Sequence, residues 1–333
     1  MKSVFLCENA DAVKNVYSED TVSLLKKTAG IDKKVCSKND IISSPDSFGN
    51  TEYIFSTWGM SQLSAEEIKK FLPSLKCVFY AAGTVQYFAR PFLDCGVKVF
   101  SAWAANAVPV AEYTAAQIIL ANKGFFKVQQ KMSAGKVKEA KEIFSHYKGN
   151  YGAKVGIIGA GMIGKLVIKA LKAHRLSVLV FDPFLPDSAA KELGVKKCGL
   201  EELFSSCSVV SNHLANNEQT KGMLTGSLFS SMPPYSVFLN TGRGAQVVEG
   251  ELADVLEAHP DLTAILDVTE PEPPLHDSRF YTLENCILTP HIAGSSGNEV
   301  HRMAEYMAEE FSLYLSGGKT KYEVTLKMLE TMA

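Results

Sequence analysis

The stretch KVGIIGAGMIGKLV, residues 154–167, sets Gly159, Gly161 and Gly164 in a G-x-G-x-x-G pattern and also runs as a Walker A loop as far as Lys165. The two patterns demand different continuations. A triphosphate loop needs Ser or Thr after the lysine to ligate the bridging Mg²⁺, and here Leu166 follows. A dinucleotide loop needs a strand before it, a helix after it and an acid at the end of the next strand. KVGII is an apolar run of strand length, and MIGKLVIKALKAH repeats Ile163, Val167, Ala170 and Leu171 at helical spacing. SVLVFD then ends in Asp182, 18 residues past Gly164. Strand, glycines, helix, strand and acid in this order predict a dinucleotide site. Free amides at the helix start, where Met162 and Ile163 stand, would face the pyrophosphate.

Composition narrows the classes. With 333 residues, 46% hydrophobic and 21% charged, the chain reads as an ordinary globular protein of two domains. A formal charge of -2 argues against a nucleic-acid surface, and the clearest charge run, KVKEAKE, mixes both signs as a solvated helix face does. No apolar stretch approaches the roughly 18 residues that span a bilayer, and VFLC in the opening MKSVFLCENAD is short for a signal segment. Seven scattered cysteines show no zinc spacing, so a reduced, cytoplasmic protein without a metal is expected. Cys77 and Cys286 lie in strand-like runs, but no basic neighbour is evident to form a thiolate.

Outward from the glycine loop, the chain alternates strand and helix patterns twice. KSVFLC, EYIFST, KCVFYA and VKVFSA read as strands of a first set; KVGIIG, SVLVFD, SVVSNH, SVFLNT, AILDV and CILTPH form a second. Such alternation predicts parallel sheets covered on both faces. Between the sets, residues 106–132 read as one Ala-rich helix. GNEVHRMAEYMAEEFSLYL reads as another, Gly317 and Gly318 end it, and YEVTLKMLETMA is expected to form a last helix.

In open parallel sheets, ligands bind outside the carboxyl ends of the strands. Arg243 follows VFLNT, Glu272 follows AILDV within a Pro-rich loop, and His291 follows CILTP. Singly, each has an ordinary reading as a surface charge or a satisfied histidine; jointly, they supply the parts for reducing a carbonyl beside a carboxylate. A guanidinium fork can hold the carboxylate and polarise the carbonyl. An imidazolium can protonate the oxygen, and a carboxylate on its other nitrogen orients the ring and favours its charged form.

At these residues the sequence resembles the D-isomer-specific 2-hydroxyacid dehydrogenases. GAGMIG with FDPF, SVVSNHL, NTGRG, DVTEPEPP and TPHIAG carry the resemblance over about residues 103–295, and DVTEPEPP looks most like the glyoxylate/hydroxypyruvate reductase branch. The resemblance implies NAD as cofactor and two doubly wound parallel-sheet α/β domains: a flavodoxin-like substrate domain (1–103 with 317–333) and a Rossmann NAD-binding domain (104–292). Residues 293–316 would be a crossover helix. It further implies Arg243 as substrate-binding residue, His291 as acid/base and Glu272 as its partner. Asp267 would meet the nicotinamide carboxamide, and His213, Leu214, Thr241 and Gly242 would line the cofactor. In the first domain, GTVQYFA has Val85 and Phe88 where relatives carry two acids, which leaves the backbone around Ala82 and Gly83 to hold a substrate carboxylate.

Three expectations complete the reading. Asp182 should accept the adenosine ribose hydroxyls, favouring NAD over NADP. The loop FSTWGMSQLSAEE offers Trp58 and Met60 but no basic residue, which suits a small unphosphorylated 2-oxo acid. The helix VPVAEYTAAQIILA is apolar over more than one face and suits a homodimer joined through the NAD-binding domain. The competing class is an NAD(H)-sensing regulatory protein of the same fold. A Ser/His/Asp hydrolase is disfavoured, because no G-x-S-x-G elbow occurs.

Overall fold

The computed structural model describes residues 2–330. Its strands in chain order are β1 (Ser3–Leu6), β2 (Val35–Cys36), β3 (Tyr53–Ser56), β4 (Cys77–Tyr80), β5 (Lys98–Ser101), β6 (Lys154–Ile158), β7 (Ser177–Phe181), β8 (Lys196–Lys197), β9 (Val209–Asn212), β10 (Val237–Asn240), β11 (Thr263–Leu266), β12 (Cys286–Leu288) and β13 (Glu323–Val324). They form two sheets in two compact units. One unit takes in the chain up to Asn106 and again from Ser295; the other is Ala107–Gly294.

The first sheet has the order β13-β5-β4-β3-β1-β2 and is parallel except at β13. Without that strand its order is 2-1-3-4-5, the flavodoxin-like winding. Its register sets Phe55, Phe79 and Phe100 side by side on adjacent strands, with ring centroids 5.2 and 4.8 Å apart. The helix His301–Leu315 lays Phe311 edge-on against Tyr53, Phe55 and Phe79, which accounts for its apolar stripe of Met303, Met307 and Phe311. The distant C-terminal segment is therefore part of this unit's core.

The second sheet has the order β12-β11-β10-β9-β6-β7-β8, all parallel. Counted from β6 it is 3-2-1-4-5-6-7, a Rossmann sheet with its order reversing between β6 and β9. The strand residues of β9, β10 and β11 are buried throughout, as strands covered on both faces must be.

Two expected elements differ. The single helix over residues 106–132 is two, Trp103–Ala121 and Phe125–Ser133. Gly124 breaks it in the left-handed region at φ +65, where a Cβ would lie 2.3 Å from the Tyr147 ring. The final helix is absent from the described part of YEVTLKMLETMA. Glu323 and Val324 instead pair with Phe100 and Val99 on the otherwise open edge of β5, and a single 3₁₀ turn, Met328–Glu330, follows. The β-branched Val324 and Thr325 suit that edge better than a helix. The last three residues of the segment lie outside the described residues.

Candidate active site

The glycine loop joins β6 to the helix Met162–Leu171, and its three glycines have three different reasons. Gly159 turns the chain at φ +87, and a Cβ there would stand 2.7 Å from the His213 carbonyl. At Gly164 a Cβ would stand 2.0 Å from the Gly159 carbonyl, so only glycine lets the helix sit this close to the loop. A Cβ on Gly161 would meet nothing within 4 Å; this is the open side, at the helix N-cap. Met162 is exposed beside it, while Ile163 is partly buried against the core. Asp182, the residue after β7, accepts the Ala160 N–H at 2.8 Å through one carboxylate oxygen and the Phe184 N–H at 2.8 Å through the other. The acid thus braces the glycine loop from the neighbouring strand end.

His213 follows β9 and is buried, its Nε2 paired with Ser211 Oγ at 2.9 Å and its Nδ1 without a partner. Burial pushes its pKa down to about 3, so the ring is neutral near pH 7. Leu214 is partly buried beside the core. Thr241 shares a 3.1 Å hydroxyl contact with Thr114, which ties the turn after β10 to the helix Trp103–Ala121. An open glycine turn, a helix N-terminus, a strand-end acid and an orphaned buried imidazole nitrogen form a set of polar groups that fits a dinucleotide.

Arg243 lies two residues beyond Thr241. Its backbone is extended and its Nη1 donates to the Gly242 carbonyl at 2.7 Å. Burial lowers its pKa, opposed by the charge of Glu272. The turn is packed closely enough that a Cβ on Gly244 would stand 2.0 Å from the Thr269 carbonyl carbon. On the next strand ends, His291 Nδ1 and Glu272 Oε1 lie 2.6 Å apart, with side chains 46% and 41% exposed. The imidazole's far nitrogen is therefore left for a reacting group. Arg243, Glu272 and His291 belong to one edge of one sheet, as the strand-end rule requires.

What holds His291 there was not legible in the sequence. Asp267 is 2% exposed, and its Oδ1 accepts from Thr289 Oγ1 at 2.6 Å and Ile292 N–H at 2.8 Å. Its Oδ2 accepts the Ala293 N–H at 2.9 Å, and its backbone carbonyl accepts the His291 N–H at 3.0 Å. These bonds clamp both sides of a histidine at φ +55, a left-handed conformation that is unfavourable outside glycine. The Asp at the end of a strand, followed by a strand-Thr-Pro-His turn, was the available signal.

In the first unit, Trp58 is exposed at 43%, in a turn made by Gly59 at φ +93. Met60 is only 2% exposed; its thioether belongs to the core and does not face outward as expected. The carbonyls of Ala82 and Gly83 both accept Ser101 Oγ at 2.8 Å. Val85 and Phe88, at the positions that depart from the resemblance, are fully buried core residues. Burial pushes Cys77 up to about 11 and Cys286 up to about 12, so neither thiol is a nucleophile near neutral pH.

The arrangement is that of a dinucleotide-binding α/β protein with a guanidinium and an imidazole–carboxylate pair at its strand ends. The profile of the family described as D-isomer specific 2-hydroxyacid dehydrogenase, NAD binding domain, matches residues 115–293. The D-3-phosphoglycerate dehydrogenase of Archaeoglobus fulgidus is 29% identical over 235 residues, 71% of this chain and 44% of that protein. Among solved structures, a phosphoglycerate oxidoreductase from Rhizobium etli superposes with a TM-score of 0.80 at 20% identity, covering 98% of this chain and 99% of that one. Rhodotorula graminis D-mandelate dehydrogenase gives 0.80 at 19%, covering 97% of each. The chain belongs to the D-isomer specific 2-hydroxyacid dehydrogenase family, and residues 115–293 are its NAD-binding domain. It spans less than half the length of the phosphoglycerate dehydrogenases it matches. Among the described residues, no helix is long and apolar enough to cross a membrane.

Proposed function

We propose that the protein is an NAD-dependent 2-hydroxyacid dehydrogenase acting as a reductase of a small, unphosphorylated 2-oxo acid of the glyoxylate or hydroxypyruvate kind. The observation that carries this reading is the 2.6 Å contact between His291 Nδ1 and Glu272 Oε1 on the same strand-end edge as Arg243. Bound NADH supplies the hydride. Arg243 holds the substrate carboxylate and polarises the carbonyl, and His291 delivers a proton from Nε2 to the carbonyl oxygen. Glu272 keeps the Nδ1 proton engaged, which fixes the ring's orientation and leaves Nε2 as the donor. His213, with its neutral ring, and Leu214, Thr241 and Gly242 would line the cofactor. Asp267 Oδ2, with one acceptor position left beside the Ala293 amide, serves the carboxamide.

The unphosphorylated substrate is supported by the loop at Trp58. It contains no basic residue, and Lys38, which reaches its end, is taken by the Gln62 carbonyl at 3.1 Å and by Glu67 at 2.8 Å. Trp58 and the backbone at Ala82 and Gly83 are the substrate contacts proposed in this unit. NAD over NADP is supported by Asp182, whose charge opposes a 2′-phosphate, with no arginine in the PFLPD that follows. A homodimer through the NAD-binding domain is supported by six exposed large apolar side chains crowded between residues 120 and 151, among them Phe125, Met132 and Phe144.

Steady-state assays with glyoxylate, hydroxypyruvate, its phosphorylated form, pyruvate and phenylpyruvate, each with NADH and NADPH, test the reading. The expected result is turnover of a small unphosphorylated acid with NADH. Preference for the phosphorylated compound, or equal efficiency with NADPH, would overturn the corresponding part.

A further inference from the structure

Three buried amides lie beneath the strand ends that present Arg243, and no step of the chemistry above uses them. Asn212 ends β9, Asn240 ends β10, and Gln246 stands three residues past Arg243; all are 0% exposed. Gln246 Oε1 accepts from Asn212 Nδ2 at 2.6 Å and from the Arg243 N–H at 3.3 Å. Its Nε2 donates to the carbonyls of Leu214 and Ala215 at 2.8 and 3.0 Å. Asn212 Nδ2 also donates to Asn240 Oδ1 at 3.0 Å, and Asn212 Oδ1 accepts the Leu214 N–H at 3.2 Å. Asn240 Oδ1 accepts the Gly242 N–H at 3.0 Å, and its Nδ2 donates to the Arg243 carbonyl at 3.1 Å.

The polarity of this network has one solution. The amides of Leu214, Gly242 and Arg243 can only donate, and the carbonyls of Leu214, Ala215 and Arg243 can only accept. A flipped Gln246 would aim its oxygen at two carbonyls and its NH₂ at an N–H and an amide NH₂. Each of the three side chains must donate and accept at once in opposite directions, which carboxylates cannot do. Gly242 makes room for them, since a Cβ there would lie 3.0 Å from both Asn212 Nδ2 and Gln246 Oε1. A buried network with every member satisfied holds one conformation and punishes partial disruption.

We infer that Gln246 is a positioning residue that ties the Arg243 turn to the loop 212–215, so that the substrate-carboxylate site and the cofactor site stand on one hydrogen-bonded frame. The inference rests on the proposed roles of Arg243, His213 and Leu214. Its consequence is that two affinities for chemically unrelated ligands fall together when one side chain that touches neither is changed.

The test replaces Gln246 by Met, which keeps the length and removes the hydrogen bonds, and by Asn, which cannot reach Leu214 and Ala215; the second serves if the first fails to fold. NADH affinity is read by nicotinamide fluorescence, and affinity for oxamate, an unreactive 2-oxo acid analogue, by calorimetry on the NADH-loaded protein. Both dissociation constants should rise about tenfold, the scale of losing one or two net hydrogen bonds' worth of positioning. A merely structural residue would lower the unfolding temperature and leave both affinities of the folded protein unchanged. Unchanged affinities, or a change in only one, would overturn the frame. Absence of turnover by the native protein would count against the dehydrogenase reading, while the two binding measurements would still decide this one.

Discussion

His291 adopts φ +55 because Asp267 holds the turn on both sides, and it keeps one ring nitrogen against Glu272 at 2.6 Å. A histidine held this way has its free nitrogen aimed by backbone bonds as well as by its carboxylate partner. Arg243→Ala is expected to lower kcat/KM about 100- to 1,000-fold, the scale of removing a preorganised transition-state donor, with His291→Ala losing about as much. Glu272→Gln is expected to lower kcat about 10- to 100-fold with KM nearly unchanged, since an amide leaves the substrate contacts but supplies neither the charge nor a fixed tautomer. Steady-state kinetics on the three variants check this. A large rise in KM with unchanged kcat for Glu272→Gln would remove it from the proton transfer.

The elements around the site are joined end to end. Glu249, in the first turn of the helix Glu249–Ala258, accepts the Glu270 N–H at 2.8 Å and so fastens the loop that carries Glu272. Burial pushes the Glu249 carboxyl up to about 7, against the hydrogen bond from Glu270 that favours its charge. A carboxyl raised in the folded state binds a proton there that the unfolded chain has already lost. Its contribution to stability is therefore full below about pH 4.5 and is lost as pH rises through 7. Glu249→Gln should thus become more stable relative to the native protein between pH 5 and 8, by about 1 to 3 kcal/mol. Urea unfolding of both proteins at the two pH values checks it, and parallel midpoints would contradict it. His213 acts at the other end of the scale. Its ring is held neutral down to about pH 3, so its contribution is present above the ordinary histidine range and is lost as pH falls below 6.5.

For the whole molecule, the segment between residues 120 and 151 carries the prediction about assembly. Leu120, Phe125, Met132, Val137, Phe144 and Tyr151 are all exposed there, the last at 78%. These exposed apolar side chains are the basis of the dimer proposed above. The protein is expected to sediment as a dimer at micromolar concentration, and Phe144→Glu to shift it toward monomer by placing a charge in that contact. A monomeric native protein would reject the assignment.

The periodicities and punctuation of the sequence were enough for the two sheets, the glycine loop and the placement of Arg243, Glu272 and His291 after successive strands. These features are local: a period of two or 3.6, a turn residue, or a residue's position just past a strand is written in neighbouring letters. The split of the helix at Gly124, the edge pairing of Glu323 and Val324 and the burial of Met60 were decided by partners far along the chain. So were the clamp of Asp267 on residues 289–293 and the Asn212–Asn240–Gln246 frame, because hydrogen bonds between strand ends depend on which strands lie side by side. The identity of the proposed reacting groups is a local property of the chain. The geometry that lets them act is tertiary, since an amide or carboxylate positions a turn only when the fold has brought that turn within about 3 Å of it.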